Sequence, residues 1–152
     1  MKIAMFGHKR IPSREGGVEI VVEELASRMV KTGNEVTCFN RNGKGCVSQK
    51  YGKRYNFNGI EVKTVPTIDK KGMAAVTAAF VSSVMAAFGK YDIVHIHAEG
   101  PAFFSWIPKL FHKKIVVTVH GLDWQREKWK GGFGAKFIRK GEENAVKYAD
   151  EI

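Results

Sequence analysis

Residues 2–19 read KIAMFGHKRIPSREGGVE: a short apolar strand runs into a basic loop and then, at a glycine pair, into an amphipathic helix. Strand, glycine-bearing loop and helix is how α/β proteins build a cradle for an anion. The N–H groups of a helix's first turn have no partner within the helix, and the helix dipole adds its positive end to the charge of nearby Arg and Lys. Here Arg10 and Arg14 precede Gly16 and Gly17. Alone, the glycines would signify only a turn with unusual backbone angles. With two arginines in the same loop, a phosphate or sugar cradle is the better reading.

Outward from this stretch, apolar strands alternate with helices. Strands are expected at 2–6, 35–41, 60–65, 92–98 and 114–120, and helices at 17–32, 73–88, 101–112 and 135–149. In the first helix Val18, Val21, Val22, Leu25 and Met29 form an apolar stripe, with Glu19, Glu23 and Glu24 opposite. Residues 42–55 are expected as a loop, and Pro108 as a kink in its helix. The segment KIVVTVH (114–120) is almost wholly apolar, as a strand covered on both faces must be. This alternation implies right-handed βαβ units, and so an α/β fold with a Rossmann-like doubly wound parallel sheet in three layers. At 152 residues the chain makes one domain. Its last residues, ADEI, read as the start of another strand, so a piece of a longer protein is expected.

Hydrophobic residues form 44% of the chain, an ordinary share for a globular protein. The longest apolar stretch, 73–88, is too short and too interrupted by Thr77, Ser82 and Ser83 to span a bilayer, and no secretory leader is recognisable. Cys38 and Cys46 make neither a disulfide framework nor a metal site, which points to the cytoplasm. The net charge of +10 is the outlier, and it implies attraction to nucleic acid, phosphosugars or an acidic membrane.

Open α/β sheets bind ligands beyond the carboxyl ends of their strands. Those ends carry His8, Lys9, Arg10, Arg14, Gly16 and Gly17, then Asn40 and Arg41, then His95, His97 and Glu99, and finally His120, Gly121, Asp123 and Trp124. A dinucleotide site fails: the G-x-G-x-x-G pattern is absent, and Asn40-Arg41 stands where NAD needs an acid. His95 and His97 share one face of a strand but lack a third ligand at metal spacing. His95 reads as a satisfied core histidine and His97 as a site residue. Trp124, Trp129 and Phe133 among Arg126, Lys128, Lys130 and Lys136 suit sugar stacking or a membrane interface. In a second patch, Phe103, Phe104, Trp106 and Phe111 read as core, with Lys109, Lys113 and Lys114 solvated.

Four ordered segments, GHKRIPSREGGVE (7–19), HIHAEGP (95–101), VTVHGLDW (117–124) and GEENAVKYADEI (141–152), carry a likeness over the whole chain. Together they resemble the N-terminal domain of retaining GT-B glycosyltransferases, and in particular rhamnosyltransferase-like members of glycosyltransferase family 4. The resemblance implies the acceptor-side half of a two-domain enzyme whose other half holds most of a nucleotide-sugar. It implies His120 as the catalytic contact to the transferred sugar, with Gly16 and Gly17 near the donor diphosphate or the acceptor. Arg10, Arg14, His97, Glu99, Gly121, Asp123 and Trp124 are the accompanying substrate-binding candidates.

Retention, no enzyme-borne nucleophile on this domain, no metal and no cofactor beyond the co-substrate follow from the same likeness. So does an acceptor of the glycan or polyprenyl-diphosphate-sugar type at the cytoplasmic membrane face, which the basic charge would favour. The isolated chain is expected to be inactive. The alternative class is a non-enzymatic basic module that binds anions or nucleic acid. Nucleic acid is not the expected partner, because the cations are spread over many loops and no recognition motif is present.

Overall fold

Ile3, Ala4, Met5 and Phe6 are all buried, because the strand they form lies in the middle of a sheet covered on both sides. The computed structural model describes residues 1–43, 51–122 and 132–152. In chain order it contains β1 (Lys2–Phe6), α1 (Gly17–Lys31), β2 (Glu35–Arg41), β3 (Arg54–Phe57), β4 (Ile60–Val65), α2 (Met73–Phe88), β5 (Ile93–His97), α3 (Glu99–Ala102), α4 (Trp106–Leu110), β6 (Lys114–Thr118) and α5 (Phe133–Tyr148). The sheet order is β3-β4-β2-β1-β5-β6, parallel throughout except for β3 at one edge. Alternation along β1 separates two cores. Ile3 and Met5 pack with Val22, Ala26, Val36 and Val62 under α1. Ala4 and Phe6 pack with Phe39, Ala78, Ala86, Ile96 and Ala145 under the layer of α2 to α5. The three-layer, Rossmann-like arrangement read from the sequence is the one observed.

Four local expectations are corrected. Residues 54–57 are not loop but β3, which pairs antiparallel with β4 through a two-residue Asn58-Gly59 turn. Both turn residues have positive φ, 50° and 85°, as tight hairpins require. The helix expected over 101–112 is two short helices, interrupted at Phe103–Ser105. Pro108 causes no kink, since it lies in the first turn of α4, where a missing N–H has no intrahelical acceptor to disappoint. On α1 the stripe of Val18, Val22, Leu25 and Met29 packs on the core as expected, but Val21 is 41% exposed and Glu19 and Glu23 are buried. Both carboxylates are inside because they are bonded there, to the Lys9 N–H and to Arg14 respectively.

Helix α5 crosses α3 at Gly141, where a Cβ would stand 1.9 Å from the Glu99 carbonyl oxygen. Glycine inside a helix normally costs about 1 kcal/mol relative to alanine. Here the backbone-to-backbone approach reverses that sign. Gly141→Ala should lower the unfolding free energy by about 2 kcal/mol or more in urea titrations; a gain would show that the crossing is looser than it is drawn here.

Candidate functional site

Strand β1 ends at Gly7, whose φ is +117° and whose Cβ would lie 2.0 Å from the His97 carbonyl oxygen. Only glycine lets β1 and β5 leave the sheet this close together. The chain then passes buried His8, whose Nε2 lies 3.0 Å from Oδ1 of buried Asn40 at the carboxyl end of β2. The same Oδ1 accepts the Ile11 N–H at 3.1 Å. The Asn40 amide nitrogen donates to the Ile11 carbonyl at 3.2 Å and to the Tyr55 hydroxyl at 3.0 Å. Tyr55 in turn donates to the Ile11 carbonyl. Because an amide oxygen can only accept, His8 carries its proton on Nε2. Its Nδ1 is a bare acceptor, buried and without a hydrogen-bond partner. Arg41 ties down the same loop, its N–H donating to the Lys9 carbonyl at 2.7 Å and its guanidinium to the Gly7 carbonyl at 3.3 Å. A small hollow lined by Gly7, His8, Arg41, Ala78, Ser82 and Pro101 lies beside these groups.

The amino end of α1 is already occupied. Glu19 Oε1 accepts the Lys9 N–H at 2.9 Å, and Oε2 fills the space where a Gly16 side chain would be, 2.1 Å from its virtual Cβ. Glu19 is the third residue of the helix, so its carboxylate sits in the field of the helix dipole. An anion arriving at Gly16 meets this carboxylate, whereas nothing stands within 4 Å of the Cβ position at Gly17.

Strands β5 and β6 stack three imidazoles. Ring centroids of His95 and His97 are 4.3 Å apart at 28°, and those of His97 and His120 are 5.3 Å apart at 27°. His95 Nε2 bonds Thr118 Oγ1 at 2.8 Å, the satisfied core histidine that the sequence indicated. His97 Nδ1 lies 3.1 Å from His120 Nε2, while His97 Nε2 is buried with no hydrogen-bond partner. Burial pushes His8 and His95 down to about 4 and His97 to about 2, so all three are neutral at neutral pH. A buried N–H without an acceptor is rarer and costlier than a bare ring nitrogen. His97 therefore keeps its proton on Nδ1 and donates it to His120 Nε2, which fixes how the His120 ring is turned. Among the described residues, no group of three or more His, Cys, Asp or Glu is arranged to hold a metal ion.

The other site candidates divide. Arg10 pairs with Glu15 at 3.3 Å, and Arg14, mostly exposed, pairs with Glu23 at 3.4 Å. Gly121 is exposed beside half-buried His120. Glu99 does not continue the His95–His97 face. Ala98 turns the chain at φ 76°, and Glu99 is the fully buried first residue of α3, its backbone carbonyl against α5. Asp123 and Trp124, with Arg126, Lys128, Trp129 and Lys130, lie outside the described residues. The sequence reading passed over Glu19 and Thr118, and it named Asn40 only as a rim residue. Asn40 and Thr118 had a signal, a lone polar side chain near the end of an apolar strand. The rim thus unites Gly7, His8, Asn40, Arg41, His97 and His120. It offers bare, uncharged ring nitrogens on His8 and His97 beside the Arg41 guanidinium, which suits hydroxyls and phosphate oxygens.

Two measurements test this geometry. The depressed histidines take up protons in the unfolded chain near pH 6.5 but in the fold only far lower, so their stabilisation is whole above about pH 6.5 and is lost as pH falls towards 4. Each can contribute a slope of up to about 1.4 kcal/mol per pH unit. Urea unfolding across that window should show the decline, and His97→Gln should flatten it; an unaltered slope would place His97 in contact with water. Ala98→Gly should raise stability by about 1 kcal/mol by relieving the positive φ, measured the same way.

Residues 15–152 match the family model described as Glycosyltransferase Family 4. Among solved structures, sucrose-phosphate synthase from Thermosynechococcus elongatus superposes with a TM-score of 0.72 at 15% identity, over 98% of this chain and 41% of that one. Anabaena HepE, solved in complex with UDP and glucose, gives 0.59 at 15% identity, over 98% of this chain and 36% of that one. At such identities the likeness is one of fold, and this chain spans less than half the length of either protein. No curated protein matches the chain in sequence. The family match begins just ahead of the Gly16-Gly17 pair and takes in α1, the strands that carry His97 and His120, and α5: the chain belongs to glycosyltransferase family 4.

Proposed function

We propose that the chain is the acceptor-side unit of a retaining glycosyltransferase that moves a sugar from a nucleotide-sugar to a glycan or lipid-linked acceptor in cell-surface polysaccharide synthesis. The observation that carries this reading is the His97–His120 pair at the carboxyl rim, a half-buried imidazole backed by a wholly buried neutral one. Family membership supplies the reaction class, and the HepE complex with UDP and glucose supports a nucleotide-sugar as donor. The rhamnosyltransferase-like motifs make a rhamnosyl donor the first to try.

In this reading a second Rossmann-like unit grips the nucleotide-sugar and His120 meets the sugar from across the cleft. As the bond from the anomeric carbon to the diphosphate breaks, negative charge grows on the leaving oxygen. The Gly17 N–H, Arg10 and Arg14 are the groups of this chain suited to meet it. The Arg10 pair is with exposed Glu15 and is cheap to exchange, whereas Arg14 is held by buried Glu23, so Arg10 is the readier of the two. The acceptor hydroxyl passes its proton to the leaving diphosphate, so positioning and charge stabilisation do most of the work. A polyprenyl-diphosphate-linked acceptor would lie at the cytoplasmic face of the membrane, to which a chain of net charge +10 is attracted.

Residues 1–152 alone should transfer no radiolabelled sugar to such acceptors, and turnover by them would overturn the proposed division of the site. In the two-domain enzyme, His120→Ala should lower kcat by roughly 10²- to 10³-fold at unchanged thermal midpoint. An unchanged kcat removes His120 from the chemistry. Length-dependent DNA binding at moderate salt would favour the nucleic-acid-binding alternative instead.

A further inference from the structure

The outer surface of α2 and α4 carries an apolar patch that includes Trp106 and Phe111, two of the four aromatics that the sequence reading assigned to the core. Phe80 is 47% exposed, Phe88 72%, Trp106 38%, Leu110 67% and Phe111 42%. The reason is local: α4 has five residues and buries only Ile107 and Pro108, which leaves Trp106 and Leu110, one turn apart, outside. Helices α2 and α4 lie side by side. Phe88 packs on Phe111 with centroids 4.6 Å apart, and Phe80 packs on Phe104 at 5.5 Å. Single exposed apolar residues need no explanation, but a contiguous run of large ones marks a surface that something covers.

The two segments that carry this patch hold lysines and no acid of their own. Residues 70–91 hold Lys70, Lys71 and Lys90 and no Asp or Glu, and residues 100–122 hold Lys109, Lys113 and Lys114 and no Asp or Glu. Lys109 is paired with Asp150 at 2.7 Å, and Lys113 donates to the Gly89 and Tyr91 carbonyls. Lys70, Lys71, Lys90 and Lys114 are exposed. A second copy of the chain docking by two-fold symmetry would set these lysines against themselves. An anionic lipid surface offers the opposite sign together with an apolar layer at the depth of a side chain.

We propose that the α2–α4 face docks on an anionic membrane, with Phe88, Trp106, Leu110 and Phe111 entering the boundary between headgroups and acyl chains and the lysines meeting lipid phosphates. The contact is peripheral, since among the described residues no helix is long and apolar enough to cross a membrane. The face rests on the membrane-bound acceptor proposed above and gives it a location. It lies on the flank of the sheet opposite α1, so the rim that carries His120 is not covered by docking.

Co-sedimentation with phosphatidylcholine vesicles, with and without phosphatidylglycerol, tests this in the absence of nucleotide-sugar, so docking and transfer chemistry are read separately. The chain should bind only the anionic vesicles, and more weakly as salt is added. The double substitutions Phe88→Ser with Leu110→Ser, and Lys90→Glu with Lys114→Glu, should each lower the partition coefficient at least about tenfold. Val21→Ser, on the α1 side, should leave it unchanged. All five positions are exposed, so an unchanged thermal midpoint certifies the fold of each variant. If the unaltered chain ignores anionic vesicles, the docking face and the membrane-bound acceptor both fall. If it binds and the double variants bind equally well, this face is wrong while the acceptor reading stands. If the substitutions abolish self-association in lipid-free sedimentation instead, a second copy covers the face and the proposal is overturned.

Discussion

The side-chain amide of Asn40 makes four hydrogen bonds inside the protein, to His8, to both backbone groups of Ile11 and to Tyr55. His8 and Ile11 are shut away from water and Tyr55 is half-buried, and a buried polar group left unmatched costs about 1–3 kcal/mol. The amide therefore does more than fill space at the end of β2. It fixes the loop between β1 and α1 in one conformation, sets which nitrogen of His8 carries the proton, and joins the antiparallel edge through Tyr55 to the centre of the sheet. The position of Gly16 and Gly17 relative to the rim follows from it.

The chemistry of the rim is that of neutral imidazoles rather than of a strong anion trap. Burial keeps His8, His95 and His97 uncharged, and Glu19 partly neutralises the positive end of α1. A site that must grip a free anion would leave the helix end open. One that meets sugar hydroxyls, and feels a diphosphate only as another unit closes over it, can afford an internal carboxylate there. The stacked histidines add rigidity. Each ring is held by a neighbour one strand away, so the orientation of His120 is inherited from the pairing of β5 with β6.

The two ends of the charge budget are thus separated in space. The rim is built from bonded, largely buried polar groups, whereas helices α2 and α4 expose aromatic side chains beside lysines, of which Lys109 is paired with Asp150. Such a division lets one domain hold a small-molecule site on one side and present an adhesive surface on another without either compromising the other's packing.

Periodicity and residue type alone determined most of the framework: β1, α1, β2, β4, α2, β5, β6 and α5 stand close to where alternation placed them, and the order of motifs around Gly16, His97 and His120 indicated the family. The β3–β4 hairpin was legible too, in Asn58-Gly59, but Arg54–Phe57 is a half-exposed edge strand whose polar residues resemble loop. Only the tertiary structure decided that Glu19 and Glu23 are inside, that Trp106 and Phe111 are outside, that Glu99 lies against α5 and that His97 holds His120. The physical reason is the same in each case. Spacing along the chain dictates which side chains share a face, but whether that face meets water, a carboxylate or another ring depends on what packs across from it, and those neighbours come from residues far away in sequence.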